Sequence, residues 1–346
     1  MSGGRSLDAF DTTIVCIETD TGVEGWGEVT PLGANYLPSY AEGARTGIRE
    51  IAPALIGADP TQLADLDLRM HGVLRGHPYA KSAIDIACWD ILGKVSGLPA
   101  STLLGGQFGE KVKLYRSITH GTPNEMARWI REFKKQGYRH FQLKVGDDPD
   151  EDIECIRASV DALENGDSVV ADANGGWSVS QAARVVRAIK GLDVYIEQPC
   201  QTYEECLSIR RRIDNPFILD ESIDSLGALQ RALSDGAMDC VNIKLSKLGG
   251  LTRSKLIRDI CVQNGVALTI EDTACTDFTA PAVFSLALST PEQFRLSVTL
   301  ANVKIAYRTA EGAPEIANGY ATPTGRPGLG VTPIPEVLGE PLFSFS

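Results

Sequence analysis

The sequence predicts an α/β fold, in which a TIM-like barrel of seven or eight β/α units carries an α+β capping domain built from the N-terminal and C-terminal segments. Short apolar runs that end in a charged residue recur about every 25 residues in the middle of the chain, the length of one strand, one loop and one helix. The residues before this region have the pattern of strands followed by helices. The residues after it are rich in Gly and Pro.

We expect residues 1–106 to form the capping domain, residues 107–307 the barrel, and residues 308–346 a segment that returns to the capping domain. The runs Thr12-Thr-Ile-Val-Cys-Ile-Glu and Gly25-Trp-Gly-Glu predict two strands within a β-like region at about residues 6–28. Helices are expected over about residues 39–104. This order of elements is typical of a separate α+β domain.

Eight barrel strands are expected, centred near residues 113, 142, 170, 195, 218, 242, 269 and 297. The first is expected at residues 112–116. Amphipathic helices follow the strands, because apolar residues recur at helical spacing between them. Two such stripes are Ile153, Ile156, Val160 and Leu163, and Ala182, Val185, Val186 and Ile189.

Composition excludes several classes of function. The chain has 346 residues and a formal net charge of -12, which argues against nucleic acid or an anionic membrane as a partner. No apolar run approaches the roughly 18 residues that a membrane span needs. Eight cysteines lie apart, without a C-x-x-C pair, and we expect them to be small buried residues in a reducing compartment. We therefore expect a cytoplasmic homo-oligomer that acts on a small molecule.

Three carboxylates, Asp172, Glu197 and Asp220, each close an apolar run in consecutive β/α units. The carboxyl ends of barrel strands meet at one mouth, where barrel enzymes keep their active sites. Converging carboxylates repel one another unless a cation neutralises them, and oxygen ligands favour Mg²⁺, with Mn²⁺ as the alternative. A single acid at such a place is equally well explained as a helix N-cap, but three in succession predict a metal site. We expect Glu221 to orient a lysine and Asn174 to support the ligands.

Two lysines, Lys144 and Lys244, close apolar runs before and after the three acids. They are expected to flank a substrate held on the metal. Beside a divalent cation and a second ammonium, the pKa of such a lysine should fall towards the range of a general base. The alternative is a plain salt bridge to a neighbouring carboxylate. Lys247, three residues beyond Lys244, is expected to face elsewhere.

These residues resemble the enolase superfamily, within it the muconate-lactonising subgroup. Relatives end their second barrel strand in Lys, their third to fifth strands in Asp, Glu and Asp, and their sixth in Lys. The matching residues are Lys144, Asp172, Glu197, Asp220 and Lys244. Gly-Trp-Gly-Glu and Lys-Leu-Ser-Lys-Leu-Gly-Gly are also similar to family segments. Gln142 departs from the Lys-x-Lys pair of many relatives and removes one charge beside Lys144.

The resemblance implies removal of a proton α to a carboxylate, giving an enediolate whose charge falls on the metal. One lysine takes the proton. The other returns a proton on the opposite face, or a β-hydroxyl leaves in a dehydration. Tyr36 lies in an expected mobile lid and Asp272 ends the seventh strand, where relatives bind a substrate ammonium. An ordinary loop tyrosine and a helix N-cap are the alternatives for these two residues.

The sequence as a whole is most similar to the hydroxyproline-processing members of the family, the cis-3-hydroxy-L-proline dehydratases and the 4-hydroxyproline betaine 2-epimerases. A quaternary ammonium calls for an aromatic wall, and the eighth strand, Leu296-Ser-Val-Thr-Leu, offers none. The dehydratase is therefore favoured, with a 2-epimerase or dipeptide epimerase as the alternative. A non-catalytic, metal-stabilised binding barrel is the alternative of another class.

Two further expectations concern His120 and the start of the chain. His120, in the loop after the first strand, is expected to be a solvated loop residue, with contact to the substrate as the alternative. Relatives carry an additional strand of about twenty residues ahead of the point corresponding to Met1. We therefore expect a truncated chain or a misassigned start codon, and an unpaired edge in the capping sheet.

Overall fold

A computed structural model of the protein describes residues 9–346, with residues 303 and 304 described by their backbone alone. The first residues of the expected capping domain, and the additional strand expected ahead of Met1, lie outside the described residues.

The described part of the capping domain begins with an antiparallel strand pair and continues in helices. In chain order its elements are β1 (Thr13–Glu18), β2 (Glu24–Val29), α1 (Ala41–Ile51), α2 (Leu63–Val73), α3 (Pro78–Ser96) and α4 (Ala100–Leu103). Helix α3 packs directly on β2. A Cβ atom at Gly25 or Gly27 would overlap the carbonyl oxygens of Ala87 and Ala83. The glycines of Gly-Trp-Gly-Glu are therefore required by this close approach of strand and helix.

After the two-residue strand β3 (Val112–Lys113), eight strands form one parallel sheet. They are β4 (Tyr115–Ile118), β5 (His140–Lys144), β6 (Ser168–Asp172), β7 (Tyr195–Glu197), β8 (Phe217–Leu219), β9 (Cys240–Lys244), β10 (Ala267–Glu271) and β11 (Arg295–Val298). Their order along the sheet is their order along the chain. This is the arrangement of a β/α barrel, and it confirms the predicted fold class.

Helices alternate with these strands. They are α5 (Pro123–Lys135), α6 (Pro149–Asp161), α7 (Val179–Ala188), α8 (Tyr203–Arg210), α9 (Leu226–Asp235), α10 (Leu245–Leu248), α11 (Leu251–Gln263) and α12 (Thr279–Leu288). Three of them begin with a capping box, which satisfies free backbone N–H groups at the helix start. The paired residues are Thr122 with Glu125, Ser178 with Gln181, and Thr202 with Glu205. Ile156, Val185 and Ile189 of the two predicted stripes are buried in the barrel core.

The C-terminal residues return to the capping domain. Their elements are β12 (Ala310–Glu311), β13 (Glu315–Ala317), β14 (Tyr320–Thr322), β15 (Thr332–Pro333) and α13 (Pro335–Leu338). The backbone N–H of Ala100 donates to Gly328 O over 2.9 Å, and Leu329 N–H donates to Asp90 Oδ1 over 2.8 Å. Phe343 packs against the apolar core of the capping domain. These contacts join the C-terminal residues to the capping domain, and the division of the chain at residues 106 and 307 stays a prediction.

The expected first barrel strand, residues 112–116, is divided in the structure. β3 pairs with β14 in a small antiparallel sheet, whereas β4 belongs to the barrel. At the join, Leu114 N–H donates to Gly319 O over 2.8 Å. The prediction was wrong for residues 112 and 113, because their partner strand lies about 200 residues further along the chain and leaves no local signal.

The capping domain is tied to the barrel by the buried carboxylate of Glu28. It accepts hydrogen bonds from the backbone N–H groups of Thr276 and Thr279, over 2.5 Å and 3.0 Å, and from the Thr276 and Thr30 hydroxyls. Helix α12 begins at Thr279 without a side-chain cap of its own. Glu28 therefore caps this helix from the other domain, and fixes the root of the loop that follows β2.

All eight cysteines are free, and seven of them are buried, as predicted. The prediction was wrong for Cys16, which is exposed on strand β1. Among the described residues, no helix combines the length and apolar character that crossing a membrane requires.

Candidate active site

The predicted acids and lysines lie together at the carboxyl ends of the barrel strands. In the strand register, Lys144 is opposite Asp172, and Asp172 is opposite Glu197. Asp220 directly follows β8, and Lys244 ends β9. Asp172, Glu197 and Asp220 are each at most 1% exposed. The local sequence explains this burial, because each residue ends an apolar strand whose carboxyl end opens into the barrel mouth.

Each of the three carboxylates has distinct hydrogen-bond donors. Asp172 Oδ2 accepts from Lys144 Nζ over 2.5 Å. Asp220 accepts from Lys247 Nζ over 2.8 Å, and also from Lys244 Nζ. Within the described part of the chain, in contrast, the side-chain donors to the oxygens of Glu197 are neutral amides.

These amides are Gln142 Nε2, at 2.8 Å from Glu197 Oε2, and Asn242 Nδ2, at 2.7 Å from Oε1. Burial raises the pKa of Glu197 well above its usual range, and the neighbouring charges of Asp172 and Asp220 raise it further. Burial also acts to raise the pKa of Asp220, but Lys244 and Lys247 outweigh burial and lower it to about 2.

The donor set fits a hard divalent cation. Three buried carboxylates act on one another electrostatically, and the raised pKa of Glu197 reflects a negative field that a cation would relieve. Within residues 9–346, no three His, Cys, Asp or Glu side chains already stand in a metal-binding arrangement. Asp172 and Asp220 instead turn oxygens towards Lys144 and Lys244.

The two predicted bases have different surroundings. Lys144 Nζ contacts Asp172 and lies 3.3 Å from Asn174 Oδ1. Burial lowers its pKa, but Asp172 and other carboxylates outweigh burial and raise it. The same balance raises the pKa of Lys244, mainly through Asp220. The carboxylates alone thus shift the lysine pKa in the direction opposite to that expected beside a cation.

Tyr36 brings the capping domain to the site. Its hydroxyl accepts a hydrogen bond from Lys244 Nζ over 2.5 Å. It belongs to the loop after β2, whose root Glu28 fixes. Burial raises the pKa of Tyr36 well above its usual range, so the phenol remains protonated and neutral.

Asp272 does not face the site. Its carboxylate accepts from the Ser246 N–H over 3.0 Å, from the Ser246 hydroxyl, and from the Thr273 N–H over 2.7 Å. Its neighbour Glu271 faces inward instead, with Oε1 at 3.3 Å from Lys244 Nζ. Successive strand residues point to opposite sides, so only one of the two can face inward. The choice of Asp272 was therefore wrong in its direction.

Lys247 was also predicted wrongly. Its ammonium is buried and donates to Asp220 Oδ1, to Asp220 O over 2.6 Å and to Asn242 O over 3.0 Å. It turns inward because the chain enters the short helix α10 directly after Lys244. In a helix, a residue three positions further along returns to the same face.

Asn174 and Glu221 contact each other beside the site. Asn174 Nδ2 donates to Glu221 Oε1 over 3.0 Å, and Asn174 Oδ1 accepts from Lys144. Glu221 therefore reaches Lys144 through Asn174 and not directly. Burial and Asp220 raise the pKa of Glu221 to about 7.

Sequence reasoning missed Asn242 and Tyr115, and it considered Gln142 only for the charge that it removes beside Lys144. Gln142 and Asn242 hold Glu197, while Tyr115 donates to Glu271. Alternation along a strand gives the missed signal. Residues two positions before Lys144 and Lys244 share their face, so both amides could have been assigned to the site.

Comparison with known proteins identifies the family. The family model of the mandelate racemase / muconate lactonizing enzyme N-terminal domain matches residues 5–105, and that described as enolase C-terminal domain-like matches residues 125–337. This chain belongs to the mandelate racemase / muconate lactonizing enzyme family of the enolase superfamily. It is 52% identical over 345 residues to a cis-3-hydroxy-L-proline dehydratase from Roseibium aggregatum, covering 100% of this chain and 94% of that protein.

More distant members of the family include an N-succinyl-L-Arg/Lys racemase from Bacillus cereus, 30% identical over 288 residues, which cover 82% of this chain and 78% of that protein. A solved enolase-superfamily structure from Roseovarius nubinhibens, complexed with magnesium, is 43% identical and superposes with a TM-score of 0.94, covering 97% of this chain and 92% of that one. The chain is an enzyme, as predicted, and the alternative of a non-catalytic binding barrel finds no support.

Proposed function

We propose that this enzyme dehydrates cis-3-hydroxy-L-proline to Δ1-pyrroline-2-carboxylate with the help of Mg²⁺. The observation that carries the proposal is the placement of two amines, Lys144 and Lys244, on either side of three buried carboxylates. The 52% identity to the Roseibium aggregatum dehydratase over the whole chain supports the choice of substrate.

Asp172, Glu197 and Asp220 would hold the ion. The ion would supply a positive charge beside the substrate carboxylate, which would stabilise the negative charge that develops as the α-proton leaves. Gln142 and Asn242 fix the two oxygens of Glu197 with neutral donors. The ligand set therefore keeps the full negative charge of Glu197 for the cation.

The lysines move the protons. One of them, as a free amine, takes the proton from the α-carbon, and the electron pair left behind expels the hydroxyl from the neighbouring carbon. The leaving oxygen takes a proton from an acid of the site and departs as water. The resulting enamine takes up a proton on carbon and becomes the cyclic imine, so substrate equals product plus one water. The ammonium of the second lysine can supply a proton on the opposite face.

Glu271 is proposed to receive the substrate's ring ammonium, the role first expected of Asp272. Its carboxylate is buried, lies beside Lys244, and is held by Tyr115 and by Asn242 Nδ2 over 3.0 Å. Tyr36 is proposed to close over the ring from the capping domain. A small cyclic amino acid would thus find a cation for its carboxylate and an anion for its nitrogen.

Epimerisation at the α-carbon of a proline derivative is the second candidate. The pair of lysines favours it, because an amine on each face can take and return the proton without elimination. The two outcomes differ only in whether the neighbouring hydroxyl leaves.

The test is incubation with cis-3-hydroxy-L-proline and Mg²⁺ in D₂O, followed by NMR. We expect Δ1-pyrroline-2-carboxylate to form and activity to stop when EDTA is added. Deuterium at the α-carbon with inverted configuration and no elimination would select the epimerase. If neither the product nor α-deuterium is detected, both reactions are refuted for this substrate.

A further inference from the structure

Asp152 is a buried carboxylate that the proposed chemistry does not use. It lies in the first turn of α6, and its side chain is fully buried. An acid at this place often caps its own helix, but Asp148 already does so by accepting from the N–H groups of Asp150 and Glu151. The carboxylate of Asp152 instead points away from its helix, towards the ends of β5 and β6.

One oxygen of Asp152 joins the loops after these two strands. Asp152 Oδ2 accepts from the N–H groups of Gly146 and Asp147, over 3.0 Å and 3.1 Å, and from Trp177 Nε1 over 2.8 Å. Gly146 lies two residues after the proposed base Lys144. Trp177 closes the turn that follows Asp172 and Asn174.

These loops also touch each other on the side of the site. Val145 N–H donates to Asp172 O over 3.0 Å. Gly146 has φ +114°, and a Cβ atom there would overlap the carbonyl oxygen of Ala173. The backbone after Lys144 is therefore held on one side by the strand that carries a proposed metal ligand. On the other side it is held by Asp152.

A third loop meets the other oxygen of this carboxylate. Asp152 Oδ1 is buried without a hydrogen bond, and the ring nitrogen Nε2 of His120 lies 3.7 Å from it. His120 belongs to the loop after β4, and the thiol of Cys155 on α6 donates to Gly121 O in the same loop over 3.3 Å. His120 is thus partly buried against α6, and the expectation of a solvated loop residue was wrong.

We propose that Asp152 is a positioning residue for Lys144. It fixes the backbone N–H groups that directly follow the lysine and locks them to the turn after Asp172. The Lys144 amine then meets the α-carbon of the substrate in a reactive geometry. This inference rests on the proposed function for its catalytic part. Its structural part, the immobilised loop at residues 145–147, stands independently of the substrate.

The test compares Asp152→Ala with Asp152→Asn, which keeps an oxygen acceptor at the same place. Asp150→Ala is the matched control, because Asp150 lies on the same turn with an exposed side chain. Single-turnover rate constants are measured with enzyme in excess, so they do not depend on the fraction of folded molecules. A misplaced base costs on the order of 10²-fold in rate. We expect Asp152→Ala to be about 30-fold to 100-fold slower with KM nearly unchanged, and Asp152→Asn to recover most of the rate.

Amide hydrogen exchange supplies the second readout. In Asp152→Ala, the amides of Gly146 and Asp147 should exchange faster than in the wild type and in Asp150→Ala. A folded Asp152→Ala whose rate constant stays within twofold of the wild type overturns the proposal. So does an Asp152→Asn that is as slow as Asp152→Ala.

Two further measurements apply if Asp152→Ala does not fold or if the wild type is inactive on this substrate. If Asp152→Ala does not fold, Trp177→Phe removes one of the three donors. We then expect a rate about threefold lower with faster exchange at Gly146, and no change in either overturns the proposal. If the wild type does not turn over cis-3-hydroxy-L-proline, the proposed function fails. Amide exchange then decides on Asp152 by itself, because unchanged exchange at Gly146 and Asp147 refutes the immobilised loop.

Discussion

The two ends of the site are built differently. At one end, Lys144 is held by barrel residues, and 21% of its side chain is exposed. At the other end, only 4% of the Lys244 side chain is exposed. Lys244 contacts Asp220 and Glu271 of the barrel and also Tyr36, which belongs to the capping domain. The difference indicates that the Lys144 end is arranged by its own loops, whereas the Lys244 end is completed only when the capping domain is in place.

The largest expected effect tests whether Lys144 and Lys244 both take part in proton transfer. Lys144→Ala and Lys244→Ala should each lower kcat for dehydration about 10²-fold to 10⁴-fold, the usual range for a lost general acid or base. The lysine that removes the α-proton is also required for α-deuterium exchange in D₂O, whereas the other is required for elimination alone. NMR of both reactions in each variant makes this assignment. Lys255→Ala is the control, since Lys255 lies on α11 away from the site and pairs with the partly exposed Asp259. Full dehydration by either active-site variant would remove that lysine from the mechanism.

The next largest effect distinguishes the roles of Glu271 and Asp272, two adjacent acids near Lys244. Glu271→Gln should raise KM about tenfold to 100-fold, because the buried charge proposed to meet the substrate ammonium is lost. Asp272→Asn should leave KM nearly unchanged and lower the free energy of unfolding by about 1–2 kcal/mol, through its bonds to Ser246 and Thr273. Steady-state kinetics and urea unfolding measure the two quantities. The reverse pattern would return the substrate role to Asp272.

A smaller effect is expected at the contact between the domains. Tyr36→Phe removes the hydroxyl that accepts from Lys244 and should lower kcat/KM about threefold to tenfold, as one hydrogen bond to a charged group is lost. Tyr40→Phe is the matched control, since Tyr40 follows in the same chain segment and is half exposed. Equal activities for the two variants would show that the Tyr36 hydroxyl takes no part in the Lys244 end of the site.

The smallest effect concerns the pH dependence of the Lys144 end. Carboxylates raise the pKa of Lys144 in this site, and Gln142 lies on the same strand face two residues earlier. Gln142→Lys adds an ammonium, which disfavours a second positive charge nearby. If Lys144 is the base, it must be neutral to act, so kcat/KM rises as pH passes the pKa of Lys144. In Gln142→Lys this rise should occur about one pH unit lower. Gln142→Leu is the uncharged control. A shift in the other direction would contradict this reading of the Lys144 environment.

The sequence predicts the fold class and the positions of the five strand-end residues well, because both depend on local pattern. A buried parallel strand is apolar and ends where the barrel mouth opens, so the first charged residue after each apolar run, Asp172, Glu197 or Lys244, marks the end of its strand. The capping-box residues Thr122 and Glu125 likewise mark the beginning of a helix.

The details that the sequence did not predict depend on contacts beyond the local chain. Asp272 and Glu271 are adjacent acids, and only the pleat of β10 decides which one faces Lys244. Lys247 turns inward because a short helix begins directly after the strand. The role of Asp152 follows from three loops that meet only in the folded barrel.

The anchoring of Glu28 has a consequence for how substrate enters. Because this carboxylate fixes the root of the loop to the start of α12, we expect any opening movement of the loop to lie within residues 30–40, between that root and helix α1. The range of molecules admitted can therefore change through the length and composition of this short segment. Such changes would leave the lysines and carboxylates of the barrel in place, but they would alter the Tyr36 contact that completes the Lys244 end.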